Sequence, residues 1–236
     1  MKGKVVKRER VAERTYSTWI ETEDKLSAEP GMFIMVGFTG SDPFLNRPFS
    51  IVDIDCLSFQ IIFNVRGRGT ELLAHLPIGS WLSVTGPWGK ELPTPDGPTI
   101  LVGGGVGIAP LLFYRKRHPS LPVLYGAKSR NHLIEIGHEN ITYITEDGSF
   151  GQKGLVTDYL EDNYQMVIGC GPTAMLAAMK KKIRRGMVIG IFETRMGCGC
   201  GICFCCALPG QGRYIRVCKD GPGLPLEEVD FETMGY

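Results

Sequence analysis

Residues 196–206, MGCGCGICFCC, hold five cysteines in eleven positions, and a sixth stands at Cys218. Thiolates are soft ligands, so this density points to a metal centre. Cys198-x4-Cys203-x2-Cys206 followed by Cys218 has the spacing with which four thiolates hold a [2Fe-2S] centre. Gly197, Gly199 and Gly201 would let backbone N–H groups turn toward the cluster sulfurs. Cys200, Cys203 and Cys206 could instead open the run of a [4Fe-4S] site, but Gly210 stands where the fourth cysteine belongs. Zinc bound by four thiolates, or plain free thiols, are the remaining alternatives. Cys200 and Cys205 are spare on the two-iron reading.

A one-electron centre works beside a donor and an acceptor. In RPFS, the Arg47 guanidinium can hold a phosphate, Pro48 stiffens an extended turn, Phe49 can pack on a ring and the Ser50 hydroxyl can reach a ring nitrogen. In GRGTELL, Gly69 and Thr70 fall where a helix begins, and the free N–H groups of a helix start bind pyrophosphate; Thr70 could equally be an ordinary cap. TILVGGGVGIAPLL places Gly103, Gly104, Gly105 and Gly107 between a strand and a helix, the layout of a nucleotide phosphate site. Ile108 stands where G-x-G-x-x-G requires its last glycine, and four glycines in five positions argue for close ligand approach. IGCGPTAM repeats the pattern at Cys170, Gly171 and Pro172, with Cys170 read as a nicotinamide-facing thiol rather than a packed small residue. Both glycine turns should face one crevice at the carboxyl ends of the strands.

Other features carry less. Lys128, Ser129 and Arg130 could hold a 2′-phosphate or form a plain turn, and Lys180–Lys182 with Arg184 and Arg185 read as a solvated basic helix end. Cys56 reads as a buried strand or turn residue, and His75, His118, His132 and His138 show no ligand spacing.

Three zones must position these groups. Residues 1–97 carry short β-branched and aromatic segments, 15–22, 32–38, 58–65 and 81–84, which predict an antiparallel β-barrel. Residues 98–192 alternate strand runs (99–102, 123–125, 141–145, 166–168 and 187–191) with helices predicted over 110–117, 155–161 and 173–185, the signature of an α/β parallel-sheet domain. Residues 193–236 have little periodicity, and a small C-terminal domain ordered by its metal is expected. With 26 basic and 25 acidic residues, no global field recruits nucleic acid or an anionic membrane. The first residues lack a secretory apolar core and no run is long enough to span a bilayer, so a cytoplasmic, soluble chain is expected, with thiols kept as metal ligands.

In this order, Arg47–Ser50, Gly69-Thr70, the Gly103–Pro110 loop, Gly169–Pro172 and the four-cysteine segment resemble the ferredoxin-NADP reductase superfamily, supported by PGMF at 30–33 and GPWG at 86–89. ETRMGCGCGICFCC and RVCKDGP resemble the electron-transfer subunits of class B dihydroorotate dehydrogenases. The resemblance implies FAD held by Arg47, Pro48, Phe49 and Ser50, with Ile62, Phe63 and Asn64 passing beside the ring and Gly69 and Thr70 at the pyrophosphate. It implies NAD(H) at the second domain and Cys198, Cys203, Cys206 and Cys218 as cluster ligands. It further implies a partner FMN-containing dihydroorotate dehydrogenase catalytic subunit, in a heterotetramer of two of each, and a place in pyrimidine biosynthesis; no substrate acid or base is expected on this chain. Two alternatives stand beside it: a small subunit of a ferredoxin-linked NAD(P)H oxidoreductase or hydrogenase complex, and a nucleotide-binding redox or metal sensor.

Overall fold

The computed structural model describes residues 1–40, 42–137 and 139–235; His138 lies outside them. The first unit is built from β1 (Lys2–Ala12), β2 (Thr15–Thr22), β3 (Phe33–Phe38), β4 (Arg47–Ser50), β5 (Asp53–Asp55), β6 (Ser58–Asn64), helix α1 (Arg68–His75) and β7 (Trp81–Trp88). They form one antiparallel sheet in the order β4-β3-β7-β1-β2-β6-β5. Val5, Ile20, Ile34, Ile61, Leu82 and Val84 point into its core with no exposed surface. The curled sheet brings β4 back over β6, where the Phe49 and Phe63 ring centroids lie 5.5 Å apart. Pro48 is tolerated because β4 is an edge strand, where a missing N–H costs no ladder bond on the open side.

The second unit comprises β8 (Thr99–Gly104), α2 (Ile108–Arg117), β9 (Val123–Ala127), β10 (Ile141–Thr145), β11 (Gln152–Lys153), β12 (Met166–Cys170), α3 (Thr173–Lys182) and β13 (Met187–Ile191). These strands pair in parallel. The order β11-β10-β9-β8-β12-β13 reverses direction between β8 and β12, the switch point outside which open α/β sheets bind ligands. Arg115, Lys116 and Arg117 close α2, and Lys180, Lys181 and Lys182 close α3, where cations complement the helix dipole. No helix forms over 155–161. Those residues make turns, and the Leu155 N–H donates to the Asp158 carboxylate at 2.8 Å, a local bond that competes with helix.

The C-terminal segment contains a hairpin of β14 (Ala207–Gly210) and β15 (Arg213–Arg216), a short turn of helix α4 (Val217–Asp220) and strand β16 (Gly223–Pro225). It is more deeply built into the molecule than its weak periodicity suggests. β16 adds antiparallel to β13, and Leu208, Ile215, Val217, Leu224 and Val229 share a core with Val167, Leu176 and Phe192 of the second unit. No helix among the described residues is long and apolar enough to cross a membrane.

Candidate functional site

A cavity of about 480 Å³ opens where the units meet. Its barrel wall contains Arg47, Pro48, Phe49 and Ser50 of β4, and Ile62, Phe63 and Asn64 of β6, with Thr70 on α1. Val106 and Ala109 enter from the second unit, and residues 191–196 form the facing wall. All eight non-glycine residues expected at a flavin are thus brought to one space. Phe33, Arg66, Pro222 and the wall from Ile191 to Met196 were not expected there; the only sequence signal for that wall is its place immediately before the first cysteine.

Local rules explain the barrel side. Gly69 is buried, and the Arg47 guanidinium lies across it in the space that a β-carbon would occupy. Only glycine leaves the guanidinium that position. The Thr70 hydroxyl accepts from the Arg66 and Gly67 N–H groups at 2.9 and 3.1 Å and donates to the Gly67 carbonyl, so it organises the start of α1. The cap reading of Thr70 is therefore realised, at the cavity wall.

Chemically the cavity suits a large anionic ring compound. Arg47, Arg66 and Arg195 supply guanidinium groups, while Phe33, Phe49, Ile62 and Met196 supply apolar surface. The Thr194 hydroxyl is inaccessible to solvent yet finds no hydrogen-bond partner among the described residues. A buried hydroxyl without a partner costs roughly 1–3 kcal/mol, a cost that a ligand acceptor or donor in the cavity would remove. The residues present thus fit a flavin. Glu193 is exposed to this cavity; desolvation by the protein around it raises its pKa, partly offset by the Arg66 charge.

At the switch point the two glycine turns pack against each other. A β-carbon on Gly103 would meet Ile108, one on Gly104 would meet Met175 and Pro172, and one on Gly107 would meet the Cys170 carbonyl. Three of these glycines are thus accounted for by contacts within the chain, and Ile108 fills the space left by Gly103. Gly105 differs: its φ is +56° and nothing lies within 4 Å of its β-carbon position, so it alone leaves room for close ligand approach. Cys170 has no exposed surface, and burial pushes its thiol well above the usual range, with the Glu193 charge adding to the rise. The thiol is a packed core group, and the expectation of a nicotinamide-facing sulfur is corrected; this loop offers backbone from Cys170, Gly171 and Pro172 instead. The segment after β9 is a turn: Ser129 Oγ lies 2.8 Å from His132 Nδ1, and Arg130 pairs with Glu135 at 2.6 Å while covering the Phe150 ring. Cys56 is exposed at φ +49° in the turn between β5 and β6, not buried.

The cysteines come as two pairs. Cys206 and Cys218, both buried, have sulfurs 3.2 Å apart, and the Cys218 N–H approaches the Cys206 sulfur at 3.4 Å. Burial and then the shared proton with Cys206 push the Cys218 thiol up to about 12. Two such sulfurs can both be thiolates only with a cation between them. The Cys203 N–H points at the Cys198 sulfur at 3.5 Å. Burial raises the Cys198 thiol, but this bond and others from Cys200, Ile202 and the Cys203 side chain outweigh it and bring it to about 6. Among the described residues no three His, Cys, Asp or Glu side chains close around one point. The two pairs, Cys198 with Cys203 and Cys206 with Cys218, make the two-plus-two thiolate set that a two-iron centre takes. Gly199, at φ +73°, packs against Met35 and Trp88 and seats the cysteine loop on the barrel. Cys200 stands beside the first pair, where the hydrogen bond it shares with Cys198 raises its thiol above the usual range, and Cys205 is exposed.

Comparisons with known proteins bear on this arrangement. Residues 193–230 match the family described as the iron-sulfur cluster binding domain of dihydroorotate dehydrogenase B. Over 98% of its length and 98% of the relative, the chain is 38% identical to the dihydroorotate dehydrogenase B (NAD(+)) electron transfer subunit of Caldanaerobacter subterraneus. It is 34% identical, over 93% of this chain and 94% of the relative, to that of Bacillus velezensis. The structure of an NADH-dependent reduced ferredoxin-NADP oxidoreductase, described for flavin-based electron bifurcation, aligns at TM-score 0.86 and 26% identity, covering 98% of this chain and 90% of the other. Phthalate dioxygenase reductase, at TM-score 0.66 and 16% identity over 83% and 69% of the two chains, shares the fold. The chain belongs to the family of dihydroorotate dehydrogenase B electron transfer subunits.

Proposed function

We propose that this chain relays electrons between NAD and an FMN-containing dihydroorotate dehydrogenase subunit, through FAD in the cavity and a [2Fe-2S] centre in the cysteine loop. Nicotinamide exchanges electrons as a hydride pair, an iron-sulfur centre takes one at a time, and bound flavin converts between the two modes. The protein's task is then to hold, orient and insulate.

Arg47, with Gly69 and Thr70 beside it, holds the pyrophosphate. Pro48, Phe49 and Ser50 and the strand Ile62, Phe63 and Asn64 line the ring. The turns with Gly103, Gly104, Gly105, Gly107, Cys170, Gly171 and Pro172 receive the dinucleotide at the switch point, by backbone groups and mainly at Gly105. Cys198 with Cys203, and Cys206 with Cys218, each supply two thiolates. On this reading the chain divides at about residues 97 and 192 into flavin, dinucleotide and cluster parts, acts in the cytoplasm in pyrimidine biosynthesis, and assembles as two copies with two of its partner.

One observation carries the proposal: Thr194, Arg195 and Met196 line the cavity, and Cys198 follows two residues later. The wall of the flavin space runs directly into the cysteine loop, so an electron has a short covalent path. The likeness to the NADH-dependent reduced ferredoxin-NADP oxidoreductase favours a second reading, a small subunit of a ferredoxin-linked oxidoreductase. Affinity purification of the chain from its own cells separates the two. An FMN-containing dihydroorotate oxidase in the eluate supports the first reading; a partner with several iron-sulfur clusters supports the second.

A further inference from the structure

Hydride and single electrons differ by a proton. A hydride delivers two electrons and one proton, and an iron-sulfur centre takes only the electrons, so each conversion in the cavity must dispose of one proton or find one.

The cavity lining offers few groups for this. Arginine does not release a proton in proteins, and the Ser50, Thr70 and Thr194 hydroxyls do not titrate near neutrality. Among the described lining residues there is no histidine, lysine, tyrosine or cysteine, and Glu193 is the one carboxyl. It sits just beyond β13, and its neighbour Phe192 is buried against Phe231 with ring centroids 6.1 Å apart, which fixes the backbone. The titratable and charged groups that face it are Arg66 before α1 and Cys170 at the end of β12; Arg47 on β4 and Arg195 on its own segment line the same space.

On the reading that FAD fills this cavity, we propose that Glu193 is the proton-holding residue of the relay. When the electron pair of a hydride leaves singly for the iron centre, the flavin N–H bond breaks and an O–H bond forms on Glu193 Oε. In the direction of NAD reduction the Glu193 O–H bond breaks as the flavin N–H bond forms, and that N–H bond then breaks as its hydrogen leaves with the electron pair as hydride to NAD⁺. In both directions Glu193 recovers its starting state by proton exchange with solvent through the open cavity. Desolvation supports the role, since it raises the carboxyl from the ordinary range toward the pH at which it can cycle.

The test uses the full chain with its cofactors. An infrared pH titration of the oxidised protein should show a protonated carboxyl that titrates above the ordinary carboxylate range and is missing from Glu193→Gln. Rapid mixing with NADH then follows flavin bleaching and iron-centre reduction separately. Iron-centre reduction should rise with pH along the same titration. In Glu193→Gln it should fall about a hundredfold relative to bleaching and lose the pH profile; Glu193→Asp should restore the profile. An unchanged titration or profile in Glu193→Gln, or equal slowing of both phases, overturns the role of Glu193 while leaving the flavin reading intact. A chain that binds no flavin overturns both.

Discussion

The Cys206 and Cys218 sulfurs lie 3.2 Å apart inside the core although the two residues are twelve positions apart in sequence. The hairpin of β14 and β15 returns the chain and closes that distance. All eight cysteines are free thiols, so the pair is held by the fold and not by a disulfide.

Replacing Cys198, Cys203, Cys206 or Cys218 singly by Ala is expected to abolish most iron and acid-labile sulfide after anaerobic reconstitution. Cys200→Ala and Cys205→Ala should keep nearly all of it. Iron and sulfide assays across the six variants check the assignment.

Gly69→Ala should displace Arg47, because the new β-carbon falls within the guanidinium. Flavin affinity should drop about tenfold or more, that is by at least ~1.4 kcal/mol. Fluorescence of flavin released on dilution measures it.

Thr194→Val removes a buried hydroxyl that has no partner among the described residues. The flavin-free protein should therefore gain stability, by roughly 1 kcal/mol, whereas the holo-protein should bind flavin more weakly by a similar amount. Denaturation midpoints with and without flavin separate the two effects.

Glu193 gives stability a pH signature. Its carboxyl is raised in the folded chain by desolvation, so the folded state binds the proton more tightly than the unfolded one. Stability from this group is complete below the unfolded value of about 4.3 and is lost as pH rises through the folded value. Glu193→Gln should thus match the wild type in acid and become the more stable protein at neutral and alkaline pH. Denaturant midpoints over that range test the sign.

Much of the architecture is legible because strands such as Thr15–Thr22 and Ile141–Thr145 alternate or run apolar between clear turns. β1 escapes this rule: Lys4, Lys7, Arg8, Glu9 and Arg10 dominate it, and in its first half only Gly3 and Val5 are buried. The site is legible wherever function demands an unusual residue type, as at Arg47 and the cysteines. It is illegible at Ile191–Met196, which contribute by position in space. The glycines after β8 show the opposite trap, since packing against Ile108, Pro172 and Cys170 calls for glycine as firmly as a phosphate would.

The central claim is that one polypeptide turns electron pairs into single electrons. Anaerobic titration of the reconstituted chain with NADH, followed by absorbance and spin resonance together, tests it most directly. The account predicts that the flavin bleaches and that a reduced [2Fe-2S] signal then grows in the same molecules. A bleached flavin beside an iron centre that stays oxidised throughout, or a chain that holds zinc and no flavin, would contradict it.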